Sequence, residues 1–243
     1  MQPRWREATW TSLRGALAIL IIAAIAAQLA VSIGLAMTDG RSVPLTSANF
    51  FSYFTILSNL GTVVVLSWAV LWWTASGRRD ARDEPRPLAV TLACITTYML
   101  VTGVVYNTLL RGIPQPAGTI VPWSNEILHL VAPLFLLADL FAAPRRRALA
   151  WPTIGGILVF PVLWIVYTMV RGPLTPNPMT GLAPWYPYPF LYPESVPGGY
   201  LGVLGYIVAI ALLIAGFGTL VVTVGRWRSR RAVRARGAIG AAH

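Results

Sequence analysis

The chain has 243 residues, 56% of them hydrophobic and only 11% charged. A soluble domain carries roughly 25% charged residues, so a water-soluble globular fold is excluded and an integral membrane protein is expected. The net charge is +11 and every basic residue is an arginine, which keeps nucleic acid open as a partner until the arginines are placed along the chain.

A helix needs about 20 apolar residues to cross a bilayer. Six segments qualify: Gly15–Met37, Ser52–Thr74, Leu88–Leu110, Trp123–Phe141, Trp151–Val170 and Tyr200–Val224. The expected fold is an all-α membrane bundle of six helices. A 1–14 N-terminus precedes it, the 15–224 membrane domain follows, and a basic tail covers 225–243. The first segment follows Arg4, Arg6 and Arg14. Its apolar run exceeds the 7–15 residues of a signal-peptide core, so an uncleaved first helix is expected.

Sixteen arginines fall in the N-terminus, the second-to-third and fourth-to-fifth connections and the tail; only Arg41, Arg111 and Arg171 fall on the other side. The positive-inside rule then puts both termini in the cytoplasm, and a bacterial cytoplasmic membrane is the expected location. The arginines sit where topology requires them. Even the tail "RWRSRRAVRAR" reads as a flank touching anionic lipid, so nucleic acid is not expected as a partner.

The second segment opens "NFFSYFTILSNL", with Thr55, Ser58 and Asn59 at i, i+3 and i+4 on one helix face. The third ends "GVVYNTLLRG", which brings Tyr106 and Asn107 to the same end, and Gly103 one turn below allows a close neighbour. The fourth enters through "PWSNEILHLVAP". Ser124 or Asn125 is expected to cap it. Asn125 and His129 share a face, and Glu126 is an i+3 neighbour of His129. Pro133 has no N–H, so the helix is expected to kink and to leave the His129 carbonyl as a free acceptor. Asp139, near the other end of this segment, is expected to pair at the interface with the Arg145–Arg147 run. At about 1.5 Å per residue, Thr55 and His129 reach similar depths. Interhelical packing explains any one of these polar groups; their coincidence at one depth makes a site.

The connection Arg171–Gly199 carries eight prolines and the aromatics Trp185, Tyr186, Tyr188, Phe190 and Tyr192. It reads either as an aromatic belt at the membrane surface or as a lid over the bundle. Cys94, the only cysteine, reads as a small core residue. His243 ends the chain, leaving His129 as the one ordered imidazole. Nothing in the sequence calls for a cofactor or a metal. A threonine hydroxyl needs an adjacent base to act as a nucleophile, and His129 is the one candidate. Ser58, Asn59, Tyr106, Asn107, Asn125 and Glu126 are binding or oxyanion-donor candidates, with no choice among them.

The stretches "YFTILSN", "VYNTLLRG", "NEILHLVAP…DLF" and "YPYPF…GGY" resemble the bacterial Pr6Pr family of integral membrane proteins, from the second segment to the sixth. That family is distantly similar to the androgen-induced, FAR-17a-like family of animals. The resemblance implies a transmembrane threonine hydrolase of fatty acid esters, with Thr55 as nucleophile and His129 as its histidine. The expected partners are the lipid bilayer and an amphiphilic or lipid substrate. A non-catalytic binder or carrier of a small amphiphile or a proton uses the same residues, and a structural partner of another membrane protein is a third reading.

Overall fold

The computed structural model describes residues 4–77 and 83–240. Arg78, Arg79, Arg82 and His243 lie outside the described residues. These residues form helices α1 (Arg4–Thr38), α2 (Val43–Phe50), α3 (Phe54–Trp72), α4 (Arg86–Val105), α5 (Pro122–Glu126), α6 (Ala132–Ala142), α7 (Thr153–Arg171) and α8 (Tyr200–Gly240). Among the described residues there is no strand, and six helices are long and apolar enough to cross a membrane.

The fourth of these spans is a composite: a π-helical turn, Ile127–Val131, joins α5 to α6. A second π turn, Tyr106–Leu110, ends α4. The first has a covalent cause. Pro133 cannot donate to the His129 carbonyl, so the regular hydrogen-bond ladder is interrupted there and the helix widens for one turn.

Helix α4 is the centre of the bundle. About two thirds of its spanning window is buried (67%), against 17% for the span of α7. It packs on α3, α6, α7 and α8. Outer faces carry Val64, Leu71, Leu163, Val170, Leu201 and Leu212, all exposed. In water such a surface is costly; against lipid tails it is matched.

Three boundaries differ from the sequence reading. Helix α1 begins at Arg4 rather than Gly15. Its extra turns bury Glu7 and Arg14, which find charged partners. Helix α2 was not expected. It starts where Ser42 Oγ accepts from the Leu45 N–H at 3.3 Å, with a proline in its first turn. Helix α8 runs past Val224 to Gly240, because nothing in the arginine-rich stretch breaks a helix and cations suit a helix C-terminus.

The arginine-rich end is locked by buried ion pairs. Arg14 donates to both oxygens of Asp139, at 2.7 and 3.1 Å, and to Glu84 at 3.0 Å. Trp10 Nε1 donates to Asp139 at 2.6 Å, and Arg146 Nε lies 3.2 Å from the same carboxylate. Arg145 pairs with Glu7 at 2.8 Å. Arg228 of α8 donates to the Leu140 and Ala143 carbonyls. Asp139 therefore pairs with Arg146 of the expected run, but its bidentate partner is Arg14, from the far end of the chain.

Candidate active site

At the opposite end of the bundle lies a cavity of about 400 Å³. Thr55 and His129 both line it, together with Tyr106, Asn125 and Tyr188. Each arrives on a different element, and each has a local reason for its position.

Thr55 stands in the first turn of α3, which Tyr53 precedes without a side-chain cap. Its hydroxyl, nearly buried, lies 3.3 Å from the Tyr188 hydroxyl. Its backbone N–H, one of the unpaired donors of a helix start, donates to the same Tyr188 oxygen at 3.2 Å. Burial pushes the Tyr188 phenol up from its ordinary value, so it remains a protonated hydroxyl and is no base for Thr55.

His129 sits in the π turn. Its Nδ1 lies 3.0 Å from the Asn125 carbonyl. A carbonyl only accepts, so Nδ1 carries the proton and Nε2 keeps its lone pair. Tyr106 stacks on the imidazole at 3.8 Å between ring centres. Asn125 donates through Nδ2 to the Tyr106 oxygen, which leaves the phenolic O–H of Tyr106 as a donor that can serve the cavity.

The remaining candidates divide. Ser58 donates to the Phe54 carbonyl of its own helix at 2.7 Å and does not reach the cavity. Asn59, fully buried, donates to the Thr55 and Leu128 carbonyls at 2.9 and 3.3 Å, tying α3 to the π turn. Asn107 donates to the Gly103 carbonyl at 2.7 Å and to the His129 carbonyl at 3.2 Å. It thereby fills the acceptor that Pro133 leaves open. The amide donors of Asn59 and Asn107 are thus spent on backbone carbonyls. Glu126 does not contact the imidazole by hydrogen bond; it pairs with Arg111 at 2.8 Å on the exposed rim. Neither Ser124 nor Asn125 caps α5. Ser124 donates to the Ala24 carbonyl of α1 at 2.7 Å, and Asn125 is engaged by Tyr106.

Gly103 takes the close neighbour its sequence position allowed: a Cβ there would fall 3.0 Å from Pro133 Cβ. This fit brings α4 against the start of α6 and so brings Tyr106 over His129.

Pro187, Tyr188 and Pro189 of the proline-rich connection line the cavity, and Trp185, Tyr186 and Tyr188 are buried against the bundle. Trp185 meets Tyr53 edge-on at 5.9 Å, and the Arg171 guanidinium lies 5.3 Å over the Trp185 ring. Tyr186 presses on Gly172 so closely that a Cβ there would fall 2.1 Å from its ring. Tyr188 stacks on Phe190 at 5.2 Å.

Among the lining residues that escaped the sequence reading are Gln28, Ser32 and Arg111. Gln28 holds the strap before α5, donating to the Thr119 carbonyl at 2.8 Å and accepting from the Val121 N–H at 3.0 Å. The available signal was a lone amide in the otherwise apolar run "IIAAIAAQLAV". No protein-family model matches the chain, and no curated protein or solved structure matches it at a significant level.

Proposed function

We propose that this protein is an intramembrane threonine-type hydrolase of lipid esters, in which Thr55 is the nucleophile and His129 the general base. In keeping with the Pr6Pr and FAR-17a-like resemblance, we place it in the bacterial cytoplasmic membrane with both termini in the cytoplasm. The observation that carries the reading is the shared wall of one cavity by Thr55 and an imidazole whose Nδ1 is already committed to a carbonyl.

In the proposed reaction the Thr55 oxygen attacks the ester carbonyl while His129 Nε2 takes its proton. The tetrahedral intermediate expels the alcohol, which receives that proton from the imidazolium. Water, deprotonated by the same nitrogen, then attacks the acyl-threonine, and its collapse restores the Thr55 hydroxyl and releases the acid. The Tyr106 hydroxyl is placed to donate to the oxyanion. In the resting arrangement Thr55 is hydrogen-bonded to Tyr188, so attack requires exchange of that partner for the imidazole.

That same Thr55–Tyr188 contact favours a second reading, a non-catalytic binder of a small amphiphile. Purified protein in nanodiscs, assayed on medium- and long-chain fluorogenic esters, separates the two. The hydrolase reading expects turnover in the wild type and none in Thr55→Val. An inert wild type that still binds the ester, with Thr55→Val binding equally, belongs to the second reading.

A further inference from the structure

A second cavity, of about 120 Å³, adjoins the first. Thr55, Tyr106, Leu110 and Tyr188 line both, so the residue read as the nucleophile stands in the partition between them. The two spaces differ in chemistry. The larger holds Gln28, Arg111, Asn125 and His129. The smaller is walled by Leu158, Pro161 and Ile165 of α7 and by Ile207, Ile210 and Ile214 of α8, with aromatic rings at its head.

Two features show how the smaller space is reached. Val162 and Ala211 line it, and both are exposed on the face that the bundle turns to lipid. It therefore opens sideways, between α7 and α8, within two spanning segments. Its apolar wall on α7, Leu158 to Ile165, extends about 10 Å along the helix. On the α4 side of the cleft Thr102 is buried, and its hydroxyl has no hydrogen-bond partner. A buried hydroxyl left unpaired is unfavourable, and a polar group on a bound molecule relieves it.

We propose that the α7–α8 cleft is a lateral port that takes one acyl chain of a single-chain bilayer amphiphile. The amphiphile's polar end passes the Thr55–Tyr188 partition into the larger cavity, and an oxygen near the head of its chain meets Thr102. The ligand enters from the bilayer and not from water. The site in the partition rests on the hydrolase reading; the port itself does not.

The test uses a long-chain fatty acid methyl ester carrying a mid-chain diazirine, added to the protein in phosphatidylcholine nanodiscs. After photolysis, labelled peptides are mapped by mass spectrometry. The proposal expects saturable labelling on the cleft faces of α7 and α8, competed by unlabelled long-chain ester but not by methyl acetate. Labelling is expected to be lost in Ala211→Trp, which fills the mouth, and kept in Leu212→Trp, whose side chain faces lipid next door and does not line the cleft. Thr55→Ala is expected to keep the labelling while losing hydrolysis. Cleft labelling in a wild type without hydrolysis would sink the hydrolase and leave the port standing. Non-saturable labelling spread over all lipid-facing helices, or cleft labelling indifferent to both Ala211→Trp and the competitor, overturns the port.

Discussion

At the residue scale the site depends on which polar groups are already spent. His129 commits Nδ1 to the Asn125 carbonyl, so its free nitrogen is the one a base requires. Removing the ring in His129→Ala is expected to lower ester hydrolysis by about 10²-fold or more, the range of a positioned base. Thermal stability in detergent should be little changed, because the carbonyl it leaves belongs to a helix turn. Unchanged hydrolysis in that variant would remove His129 from the mechanism. In the hydrolase reading, Tyr188 competes with His129 for Thr55. Tyr188→Phe keeps the stacking on Phe190 and removes only the hydroxyl, so covalent modification of Thr55 should accelerate. Slower modification would make Tyr188 a group that positions the nucleophile. The sequence expects Thr55 and His129 at similar depths, because helix rise converts position into depth, and both line one cavity. The hydrogen bonds were not legible in the sequence. Ser58 and Asn59 turn to carbonyls four residues back, a local competition open to any short polar side chain in a helix. Glu126 finds Arg111 through a tertiary approach of two helix ends, which spacing within one helix does not describe.

At the scale of elements, the fourth span with its π turn and its neighbour α4 act as one unit. Pro133 opens the His129 carbonyl, Asn107 fills it, and Gly103 lets the two helices touch. Gly103→Val overfills that contact and is expected to destabilise the fold by about 1–3 kcal/mol, read as a lower melting temperature by scanning fluorimetry in detergent. A melting temperature equal to wild type would show that the contact yields without cost. The sequence revealed the proline, the glycine and the free carbonyl because each follows from covalent structure. It did not reveal the π turns or α2, since Pro133 marks an interrupted ladder but not how the turn closes, and a short capped helix depends on what packs beside it. The six spans were legible from apolar length alone. The first and last ran longer than read, because the charged residues that seemed to end them are paired or solvated in helical form.

At the scale of the whole molecule, two ends divide the work: a cavity lined in part by the proline-rich connection and an arginine-rich lock that ties α1, α6 and the residues before α4. Asp139 is the hub of the lock and accepts from Arg14 and Trp10. Asp139→Ala leaves Arg14 and Arg146 with too little negative charge, and a loss of about 3–5 kcal/mol is expected. Glu84 is different. Burial pushes its carboxyl up, against the pull of Arg14 and Arg146, and one of its oxygens has no partner. A native chain that holds a proton the unfolded chain has released is favoured at acid pH, and loses that advantage as pH rises through the folded value. Glu84→Gln is therefore expected to flatten the loss of stability on raising pH from the acid side, read as melting temperature against pH. A pH dependence equal to that of the wild type would contradict this.

The central claim is that Thr55 is a nucleophile served by His129. Its most direct test is labelling of wild type, Thr55→Ala and His129→Ala in native membranes with a long-chain fluorophosphonate, with the adduct located by mass spectrometry. The account predicts an adduct on the Thr55 oxygen, absent from Thr55→Ala and strongly slowed in His129→Ala. An adduct on any other residue, or labelling that persists unchanged in Thr55→Ala, would contradict it.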